Sequence, residues 1–122
     1  MKRSVGVGLG KHLIVEMYDC DVKVLDSIDL LRKALLEAAK STKSTIIREF
    51  FHKFSPQGVT GVIVIAESHI TIHTWPEYNY AAIDIFTCGE HTEPWAAVGV
   101  LKRALKPERT VLIEIKRGLL EE

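Results

Sequence analysis

Apolar and polar positions alternate along the chain in a way that predicts six strands and two helices. Residues 11 to 18, KHLIVEMY, alternate with a period of two and predict the first strand. Asp26 or Ser27 then caps a helix that ends near Lys40, because apolar side chains recur there every three or four residues. That apolar stripe comprises Ile28, Leu31, Leu35 and Ala38.

The middle of the chain is rich in short apolar runs that are typical of strands. Residues 45 to 54 are β-branched and aromatic, and the turn at 55 to 58 separates them from the next run. Residues 59 to 66, VTGVIVIA, lack polar alternation, which favours a strand buried on both faces. A tight reversal or bulge is expected near Glu67-Ser68. Further strands are predicted at 69 to 75, 80 to 88 and 110 to 116.

A second helix is predicted between Thr92 and Pro107. Thr92 and Pro94 are typical of a helix N-terminus, and Pro107 ends the pattern. Its apolar stripe comprises Trp95, Val98, Leu101 and Leu105.

The order β-α-β-β, β-β-α-β predicts an α+β fold. We expect a two-layer α/β sandwich whose mostly antiparallel sheet carries both helices on one face. Because the run at 59 to 66 is apolar on both faces, the sheet of a two-fold partner is expected to cover the other face.

Length and composition limit the classes of function. The 122 residues predict a single domain, with residues 1 to 10 as a flexible leader. Sixteen basic residues balance sixteen acidic ones, which disfavours a nucleic acid or an anionic membrane as partner. No apolar run approaches the ~18 residues that span a bilayer, and the N-terminus lacks a signal-like stretch, so a cytoplasmic location is expected.

The segment AESHITIHTWPEY, residues 66 to 78, places a serine and two histidines where a strand begins. A serine in a turn most often hydrogen-bonds its own backbone, and strand histidines are most often structural. His69 and His73 share a strand face, whereas Ser68 lies on the opposite face by alternation. Contact between Ser68 and His73 therefore requires a bulge or reversal at the junction, or an approach across neighbouring strands.

Other chemistries find less support in the residues. A zinc site needs three or four ligands, and the available side chains have no recognised spacing. A serine hydrolase would place its serine in GxSxG, which is absent around Ser68. Cys20 and Cys88 form no paired metal motif; Cys88 ends a strand, either as an inert thiol or as a reactive one. The potential zinc ligands are His12, His52, His69, His73, His91, Cys88, Glu90 and Glu93.

The run ESHITIHTWPEYNYAAIDIFTCG, residues 67 to 89, resembles the small prokaryotic S-adenosylmethionine decarboxylases, pyruvoyl enzymes of polyamine synthesis. GKHLIVEMYDC at residues 10 to 20 and FHKFSPQGVTGVIVIAESH at residues 51 to 69 support the resemblance. It covers residues 10 to about 116, practically the whole chain.

The resemblance implies a proenzyme that cleaves its own backbone between Glu67 and Ser68. The products are a β chain, residues 1 to 67, and an α chain, residues 68 to 122. Ser68 Oγ attacks the Glu67 carbonyl to give an ester, and β-elimination and hydrolysis then convert Ser68 into a pyruvoyl group. That carbonyl forms a Schiff base with the substrate amine, so neither pyridoxal phosphate nor a metal is expected.

The resemblance also assigns roles to particular residues. His73 is the base in processing, Thr60 assists where the family often has serine, and Cys88 donates the proton that replaces carbon dioxide. Three residues are expected to bind S-adenosylmethionine. Phe54 stacks on the adenine, Glu77 accepts hydrogen bonds from the ribose, and Glu16 lines the pocket.

Two alternatives stay open at the level of sequence. The first is a pyruvoyl-dependent arginine decarboxylase, since some archaeal members of the family have that activity with a similar core motif. The second is a non-catalytic α/β ligand-binding dimer whose histidines are structural. A homodimer is expected under each decarboxylase interpretation.

Overall fold

Six strands form one antiparallel sheet in the computed structural model, which describes residues 8 to 119. The strands are β1 (Gly10–Tyr18), β2 (Thr45–Lys53), β3 (Val59–Ala66), β4 (Ser68–Trp75), β5 (Tyr80–Cys88) and β6 (Arg109–Arg117). The helices are α1 (Val22–Leu25), α2 (Ile28–Ser41) and α3 (Pro94–Leu105), with a 3₁₀ turn at Pro76–Tyr78. The strand order is β2-β3-β4-β5-β1-β6, and every neighbouring pair is antiparallel. The predicted two-layer α+β fold is confirmed.

The first predicted long helix is confirmed as α2. The Ser27 hydroxyl caps it by accepting a hydrogen bond from the Leu30 amide at 3.1 Å. The predicted stripe faces the sheet, with Leu31, Leu35 and Ala38 fully buried. The short helix α1 was missed, because four residues are too few to show a helical period. None of the helices within residues 8 to 119 is long and apolar enough to cross a membrane.

The second predicted helix is confirmed as α3, but one member of its stripe is wrong. Trp95 is 50% exposed, and its indole Nε1 donates a hydrogen bond to Glu114 at 2.9 Å. Because the indole lies toward β6, the buried stripe is formed by other side chains of the helix. These are Pro94, Ala97, Val98, Leu101 and Leu105.

The hydrophobic core lies between the sheet and the helices. Alternate side chains of the central strands point into it and are almost fully buried, since a strand turns every second residue to the same face. They include Leu13, Val15, Met17, Ile63, Ile70, Ile72, Ile83 and Ile85. Gly61 of β3 leaves room for the Phe51 ring, with which a Cβ at this position would collide.

The other face of the sheet, here called the open face, carries no helix. Strand β3 was predicted to be buried on both faces, but in the single chain only its core face is buried. On the open face Val62 is partly buried and Val64 is 41% exposed. The apolar sequence of β3 is therefore not explained by the packing within one chain.

The C-terminal end of the predicted leader, residues 8 to 10, joins the edge of the sheet. The Leu9 amide donates to the Arg117 carbonyl at 2.8 Å, and Gly10 begins β1. Residues 1 to 7 of the predicted leader lie outside the described residues.

Candidate active site

Ser68 begins β4 directly after the chain reverses from β3. The predicted reversal is confirmed, because Glu67 is the single residue between the two antiparallel strands. Ser68 has a φ of 118°, a region that residues with a side chain rarely adopt and that stores backbone strain. Its backbone is held on both sides, opposite Ile65 of β3 and Thr87 of β5. The sheet thus fixes a strained residue at the bond predicted to break.

The Ser68 hydroxyl is in contact with the next side chain along the chain. Ser68 Oγ lies 3.4 Å from His69 Nδ1, within hydrogen-bond distance. The His69 ring stands edge-on to Phe86 of β5, with ring centroids 5.8 Å apart and an interplanar angle of 80°. Sequence reasoning gave His69 no role, although its position next to Ser68 was visible in the sequence.

Cys88 ends β5 beside the same junction. It follows Thr87, the cross-strand partner of Ser68, and its thiol is partly buried. Burial raises the pKa of the Cys88 thiol, and the negative charge of Glu67 raises it further. The thiol therefore keeps its proton at neutral pH. We call Glu67, Ser68 and Cys88 the cleavage cluster.

Gly10 of β1 leaves the space in which the Cys88 thiol lies. The two residues are paired across β1 and β5. A Cβ at Gly10 would lie 3.0 Å from Cys88 Sγ and 2.8 Å from the Thr87 carbonyl oxygen. Any other side chain at position 10 would therefore push against the thiol or the strand that carries it.

Thr60 and His73 meet on the open face, further along the sheet. They are directly opposite each other in β3 and β4, and Thr60 Oγ1 lies 2.9 Å from His73 Nδ1. On the core face the Thr74 hydroxyl donates to the Leu25 carbonyl at 2.8 Å and accepts from the Val59 amide at 2.9 Å. These bonds hold the start of β3 against β4 and so fix the positions of Thr60 and His73 relative to each other.

Two of the predicted substrate-binding residues follow the strand ends on the same side of the sheet as this pair, one after β2 and one after β4. Phe54 follows β2, is 47% exposed and is held by a hydrogen bond from its amide to the Gly58 carbonyl at 2.8 Å. Glu77 lies in the 3₁₀ turn after β4 and is exposed. It forms part of the wall of an open cleft of about 500 Å³, whose other lining residues are Val22, Lys23, Asp26, Gln57 and Pro76.

Glu16 of β1 lies in the same row of the sheet as His73. Both residues pair with Ala82 of the intervening strand β5. The Glu16 carboxylate accepts a hydrogen bond from the Tyr80 hydroxyl at 2.6 Å. Burial and this carboxylate raise the pKa of Tyr80, so the phenol stays neutral. We call Phe54, Thr60, His73, Glu77 and Glu16 the His73 cluster.

The two clusters lie apart within one chain. Ser68 and His73 are five residues apart on the continuous strand β4, which places their backbones ~16 Å apart at ~3.3 Å per residue. The expectation that a bulge near Ser68 brings His73 to it is wrong for the single chain. The reversal precedes Ser68, and no turn interrupts β4 between the two residues.

A polar network occupies the open face between the clusters. Asp84 lies 2.9 Å from His12 Nε2 and accepts a hydrogen bond from Thr71 Oγ1 at 3.3 Å. Arg117 in turn approaches His12 Nδ1 at 3.3 Å. No three His, Cys, Asp or Glu side chains within residues 8 to 119 are grouped so that they could hold a metal ion.

Comparison with known proteins identifies close relatives. A family model described as S-adenosylmethionine decarboxylase matches residues 11 to 118. The S-adenosylmethionine decarboxylase proenzyme of Thermotoga petrophila is 53% identical over 114 residues, which cover 93% of this chain and 88% of that protein. The protein of the same name from Caldanaerobacter subterraneus subsp. tengcongensis is 48% identical, covering 93% and 92% respectively.

A solved structure has the same fold over nearly the whole chain. The crystal structure of the adenosylmethionine decarboxylase from Aquifex aeolicus superposes with a TM-score of 0.88 at 36% sequence identity. The match covers 94% of this chain and 95% of that one.

Proposed function

The chain belongs to the S-adenosylmethionine decarboxylase family, and from this premise we propose that it is a self-cleaving proenzyme that decarboxylates S-adenosylmethionine. The observation that carries the proposal is the cleavage cluster. A strained serine with a φ of 118° begins a strand at the predicted scissile bond, and the protonated Cys88 thiol lies beside it. Decarboxylated S-adenosylmethionine would then serve as an aminopropyl donor for spermidine.

The position of Ser68 supports the proposed self-cleavage at Glu67-Ser68. Its hydroxyl oxygen attacks the preceding carbonyl carbon, the C–N bond breaks, and an ester links the two segments. The strain at Ser68 favours this step because it raises the energy of the intact peptide more than that of the ester. β-Elimination then releases the Glu67 carboxylate, and hydrolysis leaves a pyruvoyl group at residue 68.

Cys88 is proposed to supply the proton that replaces carbon dioxide. The pyruvoyl group supplies a carbonyl that takes up the substrate amine and accepts electrons as carbon dioxide leaves. A general acid must be protonated when carbon dioxide has left and the α-carbon takes up a proton. Burial keeps the Cys88 thiol protonated. Gly10 keeps the space in which that thiol lies.

A homodimer is proposed because one chain does not bring the two clusters together. We place a two-fold axis in the plane between two open faces, perpendicular to the strands. Strand β4 then packs on the partner's β4 and runs antiparallel to it. Sheets that pack face to face lie ~10 Å apart with their strands within about 30° of each other. When the axis crosses β4 midway between Ser68 and His73, Ser68 lies opposite the partner's His73 and each active site combines two chains. The same packing covers the exposed apolar side chains of β3, such as Val64.

The His73 cluster is proposed to bind the substrate. Phe54 offers an exposed ring for stacking on adenine, and Glu77 offers a carboxylate for the ribose hydroxyls. Glu16, in the same row of the sheet as His73, is proposed to line the substrate pocket. A sulfonium is attracted to an aromatic face, as other cations are. Arginine lacks the adenine and the ribose, so these residues favour S-adenosylmethionine over arginine.

Incubation of the purified protein with each substrate tests the proposal. We expect carbon dioxide release with S-adenosylmethionine, and reduction with cyanoborohydride should attach that substrate to the α chain. Ser68→Ala should give neither result. Release from arginine in place of S-adenosylmethionine would identify the alternative decarboxylase. No release from either substrate, with no attached mass, would support the non-catalytic alternative. The cytoplasmic location stays a prediction.

A further inference from the structure

Self-cleavage needs a base for the Ser68 hydroxyl proton, and the chain offers one that the family resemblance did not indicate. We propose that His69 is the catalytic base for the attack of Ser68 on the Glu67 carbonyl, acting within the same chain. This inference rests on the proposed self-cleavage and assigns its first proton transfer. It leaves His73 available for the later elimination.

The geometry that supports this role is the contact between the two side chains. Ser68 Oγ lies 3.4 Å from His69 Nδ1. This is slightly longer than the ~2.6–3.2 Å of a working nucleophile and base, a contact that is often looser before the reaction begins. The Phe86 ring, edge-on at 5.8 Å, holds the imidazole against β5. A base is usually oriented by a third group, and here the aromatic ring supplies that orientation.

The position of His73 supports the same assignment. Its Nδ1 is engaged by Thr60 Oγ1 at 2.9 Å, five residues along β4 from Ser68. Within one chain it does not reach the Ser68 hydroxyl. A base supplied by His69 does not depend on a second chain, so ester formation can begin before dimerisation.

The proton transfers balance without any added reactant. His69 Nδ1 takes the proton from Ser68 Oγ as the oxygen bonds to the Glu67 carbonyl carbon. The C–N bond then breaks, and the imidazolium returns the proton to the departing amine of Ser68. The step yields an ester and a free amine, with no net change in charge or oxidation state.

Several charged and titratable groups surround His69 and contribute to the pH dependence of cleavage. Its neighbours in register are apolar, Val64 on β3 and Phe86 on β5. The groups at the junction and in the nearby rows of the open face are Glu67, Cys88, Asp84, His12, Arg48 and Arg117.

The test follows processing after cell-free synthesis, by intact mass, across a range of pH. We expect His69→Asn to slow cleavage about 100-fold, the lower end of the usual contribution of a general base. The cleavage rate of this variant should also depend less on pH on the acid side of the pH–rate profile. The amide keeps a hydrogen bond to Ser68 but cannot take its proton. His69→Gln serves as a second variant in case one of them folds poorly. His52→Asn, a strand histidine on the same face, is the control and should cleave normally.

Hydroxylamine distinguishes the steps, because it cuts an accumulated ester. We expect no hydroxylamine-sensitive product in His69→Asn, whose block precedes the ester. Cleavage of folded His69→Asn at the wild-type rate and with the wild-type pH dependence would overturn the inference, and so would accumulation of the ester. If the wild-type chain itself does not cleave, the proposed function fails instead.

Discussion

Thr60 Oγ1 and His73 Nδ1 lie 2.9 Å apart on the open face, whereas Ser68 begins the same strand β4 five residues before His73. The residues that carry the predicted chemistry are therefore divided between two ends of one sheet. Ser68 and His73 can act on the same step only if a second chain lies on the open face, whereas Ser68 and His69 are in contact within one chain. The dimer is thus a requirement of the proposed site.

Mixed dimers test whether Ser68 and His73 act across chains. Ser68→Ala keeps an intact His73, and His73→Asn keeps an intact Ser68. Neither variant alone should complete processing. Coexpressed with different tags, they should form mixed dimers in which only the His73→Asn chain is cleaved, because its Ser68 faces the partner's His73. Absence of cleavage in mixed dimers isolated through both tags would contradict the shared site.

The hydroxyl of Thr60 is expected to matter through its bond to His73. Thr60→Val keeps the shape of the side chain but removes the hydroxyl, and the loss of ~1 kcal/mol should slow processing about fivefold. Thr60→Ser keeps the hydroxyl and should process at close to the wild-type rate. Intact-mass time courses measure both variants. Equal rates for Thr60→Val and the wild type would show that the contact has no role in processing.

Cys88 is expected to govern decarboxylation but not cleavage. Because the pKa of its thiol is raised above the ordinary value of 9.0, the thiol stays protonated through neutral pH. Single-turnover decarboxylation should therefore fall only at a pH above that value. Cys88→Ser should cleave normally and decarboxylate at least about 100-fold more slowly. Wild-type decarboxylation in Cys88→Ser would exclude the thiol as the proton donor.

Gly10 and Gly99 form a matched pair for a test of packing at the site. An alanine at Gly10 meets the Thr87 carbonyl oxygen at 2.8 Å, so Gly10→Ala should lower the free energy of unfolding by about 1–3 kcal/mol. An alanine at Gly99 in α3 meets only the end of Arg103, at 3.6 Å, and should stabilise the helix by up to ~1 kcal/mol. Urea unfolding at one protein concentration compares them. Equal stability would show that β1 and β5 adjust freely around the thiol.

Most of the fold could be predicted from the sequence because its signals are local. The alternation in β1 and the stripe of Leu31, Leu35 and Ala38 in α2 each reflect a single element packing on one core. Trp95 was misplaced because an apolar residue at helical spacing can also lie at the margin of the helix, where its indole found Glu114 as a partner.

The site was only partly predictable, because alternation along a strand gives the face on which a side chain lies but not which residues of other strands or chains it meets. The alternation of faces along the strand indicated that Ser68 and His73 are not in direct contact. The rise of ~3.3 Å per residue also places the two residues far apart on one strand. The contact of Ser68 with His69 depends on the backbone of Ser68, whose positive φ is not visible in the sequence.

Intact-mass analysis of the purified protein tests the central claim most directly. We expect two chains, residues 1 to 67 and residues 68 to 122, the second lighter by one ammonia than a peptide that begins with serine. Ser68→Ala should remain a single chain of 122 residues. A wild-type protein that remains one unmodified chain after prolonged incubation, or that is cut elsewhere, would contradict self-cleavage at Glu67-Ser68.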